Sequence, residues 1–168
     1  MPSAPLNIVL VQPEIPNNTG NIGRTAAATA ARLHVVHPIG FDMSEKARRR
    51  AGLDYWDLVD CREHENWDSF LELERPPRAW LFTTKATHSL WEARFEPNDY
   101  LIFGGETRGA PEPVHDWVTR QWGDEHRISL PMAPGIRSLN LATAVCAGIY
   151  EARRQLNPSV RERESLTE

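Results

Sequence analysis

At 168 residues with a formal net charge of −4 and a pI near 5.9, the chain fits one folded domain, large enough to bury a core without metal or disulfide support. The acidic balance argues against a general basic nucleic-acid binder, and no apolar run reaches the length of a membrane span. Cys61 and Cys146 lie far apart with no C-x-x-C pair, so neither a disulfide nor a zinc site is expected. The N-terminus lacks a basic region before its first apolar run, which predicts no signal peptide and a cytoplasmic location.

Residues 6–12, L-N-I-V-L-V-Q, are β-formers and predict a first core strand. The P-E-I-P-N-N-T-G cluster that follows reads as a loop. From Asn21 the alanine-rich N-I-G-R-T-A-A-A-T-A-A-R-L predicts a helix with a small face, and R-L-H-V-V-H-P-I-G predicts a second strand ended by Pro38 and Gly40. Strand, helix and strand at this spacing make a βαβ unit, hence a parallel sheet. M-S-E-K-A-R-R-R-A-G predicts a short basic helix capped by Ser44 and closed at Gly52. Residues 54–62 are ambiguous, with L-V-D-C-R a possible strand.

E-N-W-D-S-F-L-E-L-E-R-P-P places Trp67, Phe70, Leu71 and Leu73 on helical spacing, a helix packed on the sheet. Residues 78–83 and 98–103 predict two further strands. P-E-P-V-H-D-W-V-T-R, with prolines acceptable near its start, predicts another helix. A short strand carrying Ile128 and Leu130 then enters a loop stiffened by Pro131 and Pro134 and turned at Gly135. In the following helix Leu139, Leu141, Ala142, Val145, Cys146, Ile149 and Tyr150 cover more than one stripe, which predicts burial on most sides. Ser138 and Asn140 stand at its entrance, able to cap free N–H groups or to face a ligand. Residues 157–168 read as a polar, frayed tail after a domain spanning 1–156.

Three polar loops follow three apolar strands: P-E-I-P-N-N-T-G-N-I-G-R, F-G-G-E-T-R-G and L-P-M-A-P-G-I-R-S-L-N. In a parallel sheet such loops converge at the carboxyl ends of the strands, so one shared site is expected. Neither G-x-G-x-x-G after the first strand nor a P-loop is present, which disfavours a dinucleotide enzyme or a kinase. Gly104, Gly105 and Gly109 allow close approach to a flat ligand, with Glu106 inside the turn; an ordinary loop is the plain alternative. Arg24, placed one turn into the predicted helix, has no obvious structural reason there, a surface role being its default. None of the six histidines stands at metal-ligand spacing on a helix, and none is assigned to a metal.

Taken in order, N-N-T-G-N-I-G-R-T, F-G-G-E-T-R-G and I-S-L-P-M-A-P-G-I-R-S-L-N-L resemble the SPOUT superfamily of RNA methyltransferases. The resemblance spans residues 6–156 and is nearest to the small tRNA ribose 2′-O-methyltransferases of the wobble cytidine or uridine. It implies an α/β single domain, a parallel sheet flanked by helices, with a C-terminal trefoil knot that binds S-adenosylmethionine. By the family pattern Phe82, Gly104, Leu130 and Ser138 would line the cofactor site. Arg24 would be the catalytic arginine, supported by Asn18, Glu106, Ser138 and Asn140. The family is dimeric, with the site completed near the subunit interface, and Ala26 to Ala31 and the final helix are candidates for close packing there. Lys46, Arg48, Arg49 and Arg50 are the expected contact to the tRNA anticodon stem-loop. Methylation of another RNA such as rRNA, or a catalytically silent RNA- or cofactor-binding module, are the alternative readings.

Overall fold

The computed structural model describes residues 5–158, so the expected N-terminal start and the polar tail beyond Pro158 lie outside the described residues. Seven strands form one sheet: β1 (Asn7–Val11), β2 (Arg32–Val36), β3 (Cys61–His64), β4 (Ala79–Phe82), β5 (His88–Ser89), β6 (Tyr100–Phe103) and β7 (Arg127–Ser129). Their order across the sheet is β3-β2-β1-β6-β4-β7-β5, and every neighbouring pair is parallel. Parallel neighbours need crossovers, and four helices lie in them: α1 (Pro16–Thr29), α2 (Glu45–Arg50), α3 (Trp67–Glu74) and α4 (Glu112–Trp122); a fifth, α5 (Leu141–Leu156), follows β7. No helix among the described residues is long and apolar enough to cross a membrane.

Alternation along the strands builds two cores. Ile8, Leu10, Leu33, Val35, Phe82, Leu101 and Phe103 face α1 and α5, where they meet Ile22, Ala26, Val145 and Ile149. Val9, Val11, Val36, Leu81 and Ile102 face the other way, against Phe70 of α3 and Val114 and Val118 of α4. The sheet is covered on both sides, which is why β1, β4 and β6 are buried at every position.

Several sequence expectations change. α1 begins at Pro16, inside the cluster read as a loop, because Pro at the first helical position is pre-set for the helix and needs no hydrogen-bond partner. Arg24 is therefore the ninth residue of α1, beyond the first turn where the helix dipole acts. β5, only two residues long, has no pattern in the sequence. Leu73 is 71% exposed, so α3 packs mainly through Phe70. α5 buries Val145, Gly148, Ile149 and Ala152, a single stripe rather than most of its surface, and Tyr150 is 51% exposed. The ambiguous segment holds a 3-10 turn over Trp56–Leu58, and its strand lies at β3. Cys61 and Cys146 are both free, and burial pushes the Cys61 thiol up to about 12.

Buried polar groups tie the strands together. Asp99, 1% exposed, accepts from Arg78 through both carboxylate oxygens at 2.9 Å, from Trp80 Nε1 at 2.9 Å and from the Glu96 amide at 2.9 Å. His34 Nε2 bonds Asn7 Oδ1 at 3.2 Å, and His34 Nδ1 bonds His64 Nε2 at 3.1 Å. Burial, with the His64, Arg62 and Arg32 charges behind it, pushes His34 down to about 3. Unfolding lets this imidazole take a proton near its ordinary 6.5, whereas the folded protein resists until about 3, so stability present above pH 6.5 is lost on acidification through that window. Urea midpoints are expected to fall as pH drops from 7 to 5, and less steeply in His34→Gln; equal slopes in the two proteins would contradict this assignment.

Candidate active site

The strand order reverses at β1, whose neighbours are β2 and β6, and ligands of open α/β sheets collect beyond such a switch point. There the loop after β1 and the loop after β6 are joined by two carboxylates. Glu106 accepts from the Glu14 amide at 2.6 Å, the Ile15 amide at 3.0 Å and Asn18 Nδ2 at 3.2 Å. Glu14 in turn accepts from the Thr107 amide at 3.1 Å and the Thr107 hydroxyl, which holds its carboxyl below the ordinary range. Ile15, the residue before α1, has no capping side chain, and Glu106, 91 residues away, takes its amide together with that of Glu14, which fixes the chain's entry into the helix.

The network continues to α5. Asn140 is the N-cap, its Oδ1 accepting from the Thr143 amide at 3.2 Å, while its Nδ2 donates to Asn18 Oδ1 at 3.0 Å. Asn18 thus bridges Glu106 and Asn140, and α1, α5 and the β6 loop are fixed to one another. Gly104 is required by contact: a Cβ there would lie 1.9 Å from the Ala110 nitrogen, because the loop doubles back on itself.

These loops enclose a cavity of about 600 Å³. It is lined by Phe82, Gly104, Leu130 and Ser138, and also by Asn18, Glu106 and Asn140. Phe82 is mostly core: it stacks on Phe103 at 4.5 Å between ring centres, and a Cβ on Gly148 of α5 would lie 2.8 Å from its ring. Ser138 is exposed, and among the described residues its hydroxyl makes no hydrogen bond. Thr83, Lys85, Thr107, His115, Met132 and Arg137 also line the cavity; none of them was among the expected site residues, although Lys85 and Arg137 are cations beside the loops that form it. Apolar walls from Phe82, Leu130, Leu141 and Ala144 beside a glycine-rich backbone suit a nucleoside-like ligand.

Arg24 is elsewhere. It lines a second cavity of about 540 Å³, on another side of α1, with Tyr55, Arg48 and Trp56. Within one chain the structure brings all the named candidates around the first cavity together except Arg24 and the basic residues of α2. That helix buries none of its six residues; Lys46, Arg49 and Arg50 are exposed and Arg48 is half-buried over Trp56, 5.5 Å from its ring.

The family model of SpoU rRNA methylases matches residues 5–150. The chain belongs to that family. A tRNA (cytidine(34)-2′-O)-methyltransferase of Polaromonas sp. is 48% identical over 152 residues, covering 89% of this chain and 90% of its own. The protein of the same name from Escherichia coli K12 is 46% identical over 151 residues, covering 90% and 94%. A solved structure concerned with 2-OH methylation of C/U34 on tRNA has 47% identity and a TM-score of 0.80, over 91% of this chain and 97% of that one. The SpoU methyltransferase AviRb from Streptomyces viridochromogenes, solved with the cofactor AdoMet, shares the fold with a TM-score of 0.73 at 23% identity, over 98% of this chain and 63% of that one. This SpoU family member keeps an α/β fold with a parallel sheet flanked by helices, as the resemblance implied.

One histidine group departs from the sequence reading, which gave no histidine metal-ligand spacing. His34, His64 and Glu74 come from separate elements and have ligand atoms within 4.8 Å of one another. Thirty residues separate the two histidines, and only the β2–β3 register brings them together. Arg62 bonds both Glu74 oxygens at 3.2 and 3.1 Å and answers its charge, while the buried His64 Nδ1 has no hydrogen-bond partner among the described residues. For the carboxylate clamp, Glu106→Ala is expected to destabilise the fold by roughly 1–3 kcal/mol, the range for charge-assisted hydrogen bonds lost together. Chemical denaturation measures it; an unchanged midpoint would remove the clamp from the architecture.

Proposed function

We propose that this SpoU methylase transfers a methyl group from S-adenosylmethionine to the ribose 2′-oxygen of the wobble cytidine or uridine in tRNA, in the cytoplasm. The observation that carries the reading is the switch-point cavity, where Gly104, Leu130 and Ser138 meet the Asn18, Glu106 and Asn140 network. The names of relatives 46–48% identical over about nine-tenths of both chains supply the substrate. The AdoMet complex of AviRb supports the cofactor, and the family likeness supports a trefoil knot in the C-terminal part.

When bound, S-adenosylmethionine supplies an electrophilic methyl on a sulfonium whose charge is neutralised as the carbon–sulfur bond breaks and the carbon–oxygen bond forms. The chain's residues have to hold the 2′-oxygen in line while its proton leaves to solvent water. A guanidinium with a pKa above about 12 is a poor proton acceptor, so Arg24 orients the ribose and its adjacent phosphate and stabilises developing oxyanion charge. Because Arg24 lines a different cavity from Gly104 and Ser138, a second copy of the chain completes the site. Exposed Ile136, Leu139 and Tyr150, at 57%, 41% and 51%, support a homodimer packed near α5. Ala26 is buried within its own chain, which leaves only part of the small α1 face for that contact.

Lys46, Arg48, Arg49 and Arg50 supply the contact to the anticodon stem-loop. α2 buries no residue, and its cations, with Arg49 paired to Glu45 and Arg48 resting on Trp56, offset the overall −4 locally. The deciding experiment is methylation of total tRNA with labelled cofactor, followed by mapping of the modified nucleotide. The expected product is a 2′-O-methyl at position 34; labelling confined to rRNA would replace the reading with the alternative one. Arg24→Lys is expected to lose most turnover with cofactor affinity intact, since an ammonium lacks the bidentate fork. Replacing the four α2 cations by Ala should weaken tRNA binding and flatten its salt dependence.

A further inference from the structure

Arg24 carries a long, flexible side chain, is exposed, and among the described residues is held by no hydrogen bond or ion pair. Its one contact of defined geometry is the face of Tyr55, with the guanidinium carbon 4.6 Å from the ring centre. That geometry is a cation–π contact, which orders the side chain without consuming any of its five N–H donors.

The ring is itself held in place. Tyr55 Oη donates to the Gly20 carbonyl at 2.6 Å, and Gly20 lies one helical turn before Arg24 on α1. The shelf and the residue resting on it are therefore referenced to the same stretch of helix. Two glycines of the N-N-T-G-N-I-G run make that approach possible. A Cβ on Gly20 would lie 3.3 Å from Leu53 Cδ2, and a Cβ on Gly23 would lie 2.3 Å from the Trp56 ring. Neither glycine has a positive φ, so what they provide is space for the 53–56 segment against α1.

We propose that Tyr55 is the positioning residue for Arg24: its ring carries the guanidinium and its hydroxyl locks that ring to the Gly20 carbonyl. The inference rests on the reading of Arg24 as the residue that orients the ribose. In this role Tyr55 acts through Arg24: it narrows the orientations Arg24 samples before RNA arrives, leaving the donors open to a phosphate or a ribose oxygen.

The test is steady-state methylation of tRNA by full-length protein carrying Tyr55→Leu, Tyr55→Trp, Arg24→Ala or Arg24→Lys, with cofactor binding by calorimetry and thermal unfolding alongside. Tyr55→Leu is expected to lower kcat roughly tenfold, the scale of a misplaced reacting group, with cofactor affinity unchanged. Tyr55→Trp, which keeps a π face, should restore turnover to within about threefold. In the Arg24→Lys background Tyr55→Leu should cost little more, because the geometry it protects is already lost. Wild-type kcat in Tyr55→Leu while Arg24→Ala is inactive would overturn the role of Tyr55 and leave that of Arg24 standing. An equal loss from Tyr55→Leu with and without Arg24→Lys would also overturn it. Full activity in Arg24→Ala would overturn both. If Tyr55→Leu does not fold, Tyr55→Trp and Tyr55→Phe decide the matter, since removing the hydroxyl alone should lower kcat without moving the cofactor affinity.

Discussion

The loop after β1 and the loop after β6 each give a carboxylate to the other's backbone, and much else follows from that exchange. Glu106 takes the amides that lead into α1, while Glu14 takes the amide and hydroxyl of Thr107. α1 starts with Pro16 and has no capping side chain, so the path by which the chain enters it is set by Glu106 through the two amides that precede it. Since β1 and β6 are hydrogen-bonded neighbours, the two loops emerge side by side, and only a short reach is needed. Asn18 passes the constraint on to Asn140 and so to the start of α5. The cavity is shaped by a chain of polar contacts running over 122 residues of sequence, although each link spans an ordinary hydrogen-bond length.

Glu106, Asn18 and Asn140 belong to the scaffold and to the cavity wall at once. Each is fully engaged in holding elements together, and each also lines the cavity. Ser138 differs, being exposed and without a bond from its hydroxyl among the described residues. A side chain already committed to the scaffold keeps its position when a ligand arrives, which is what preorganisation requires. One left unbonded adapts to the ligand.

Much of this was legible from residues alone, for identifiable reasons. β1, β4 and β6 are buried on both faces, and continuous runs such as N-I-V-L-V and Y-L-I-F state that directly. The Ser44 cap and the Gly52 stop of α2 are local signals, and the structure uses both. The start of α1 was hidden because P-N-N-T-G-N-I-G carries turn residues at nearly every step; Pro16 opens the helix, and Glu106, a partner in another part of the chain, holds the amides just before it and the Asn18 side chain within it. β5 owes its existence to β7 and has no periodicity to read. α5 misled because its apolar residues exceed the stripe that its own chain buries, and the excess at Tyr150 faces outward. The three loops were expected to share one site. That Arg24 stands apart from the cavity could not be seen, since helical phase decides which side of α1 it occupies and the starting residue was misplaced.

Among the elements, α2 combines a helical backbone, a cap and four cations, three of them exposed, with no buried residue. Its sequence is therefore under almost no obligation to the interior. Exchanging the charges of Lys46, Arg49 and Arg50 leaves both cores and the carboxylate clamp untouched, whereas Arg48 rests on core Trp56. The surface potential of this face can therefore drift through a few neighbouring codons while the folded state stays as it was.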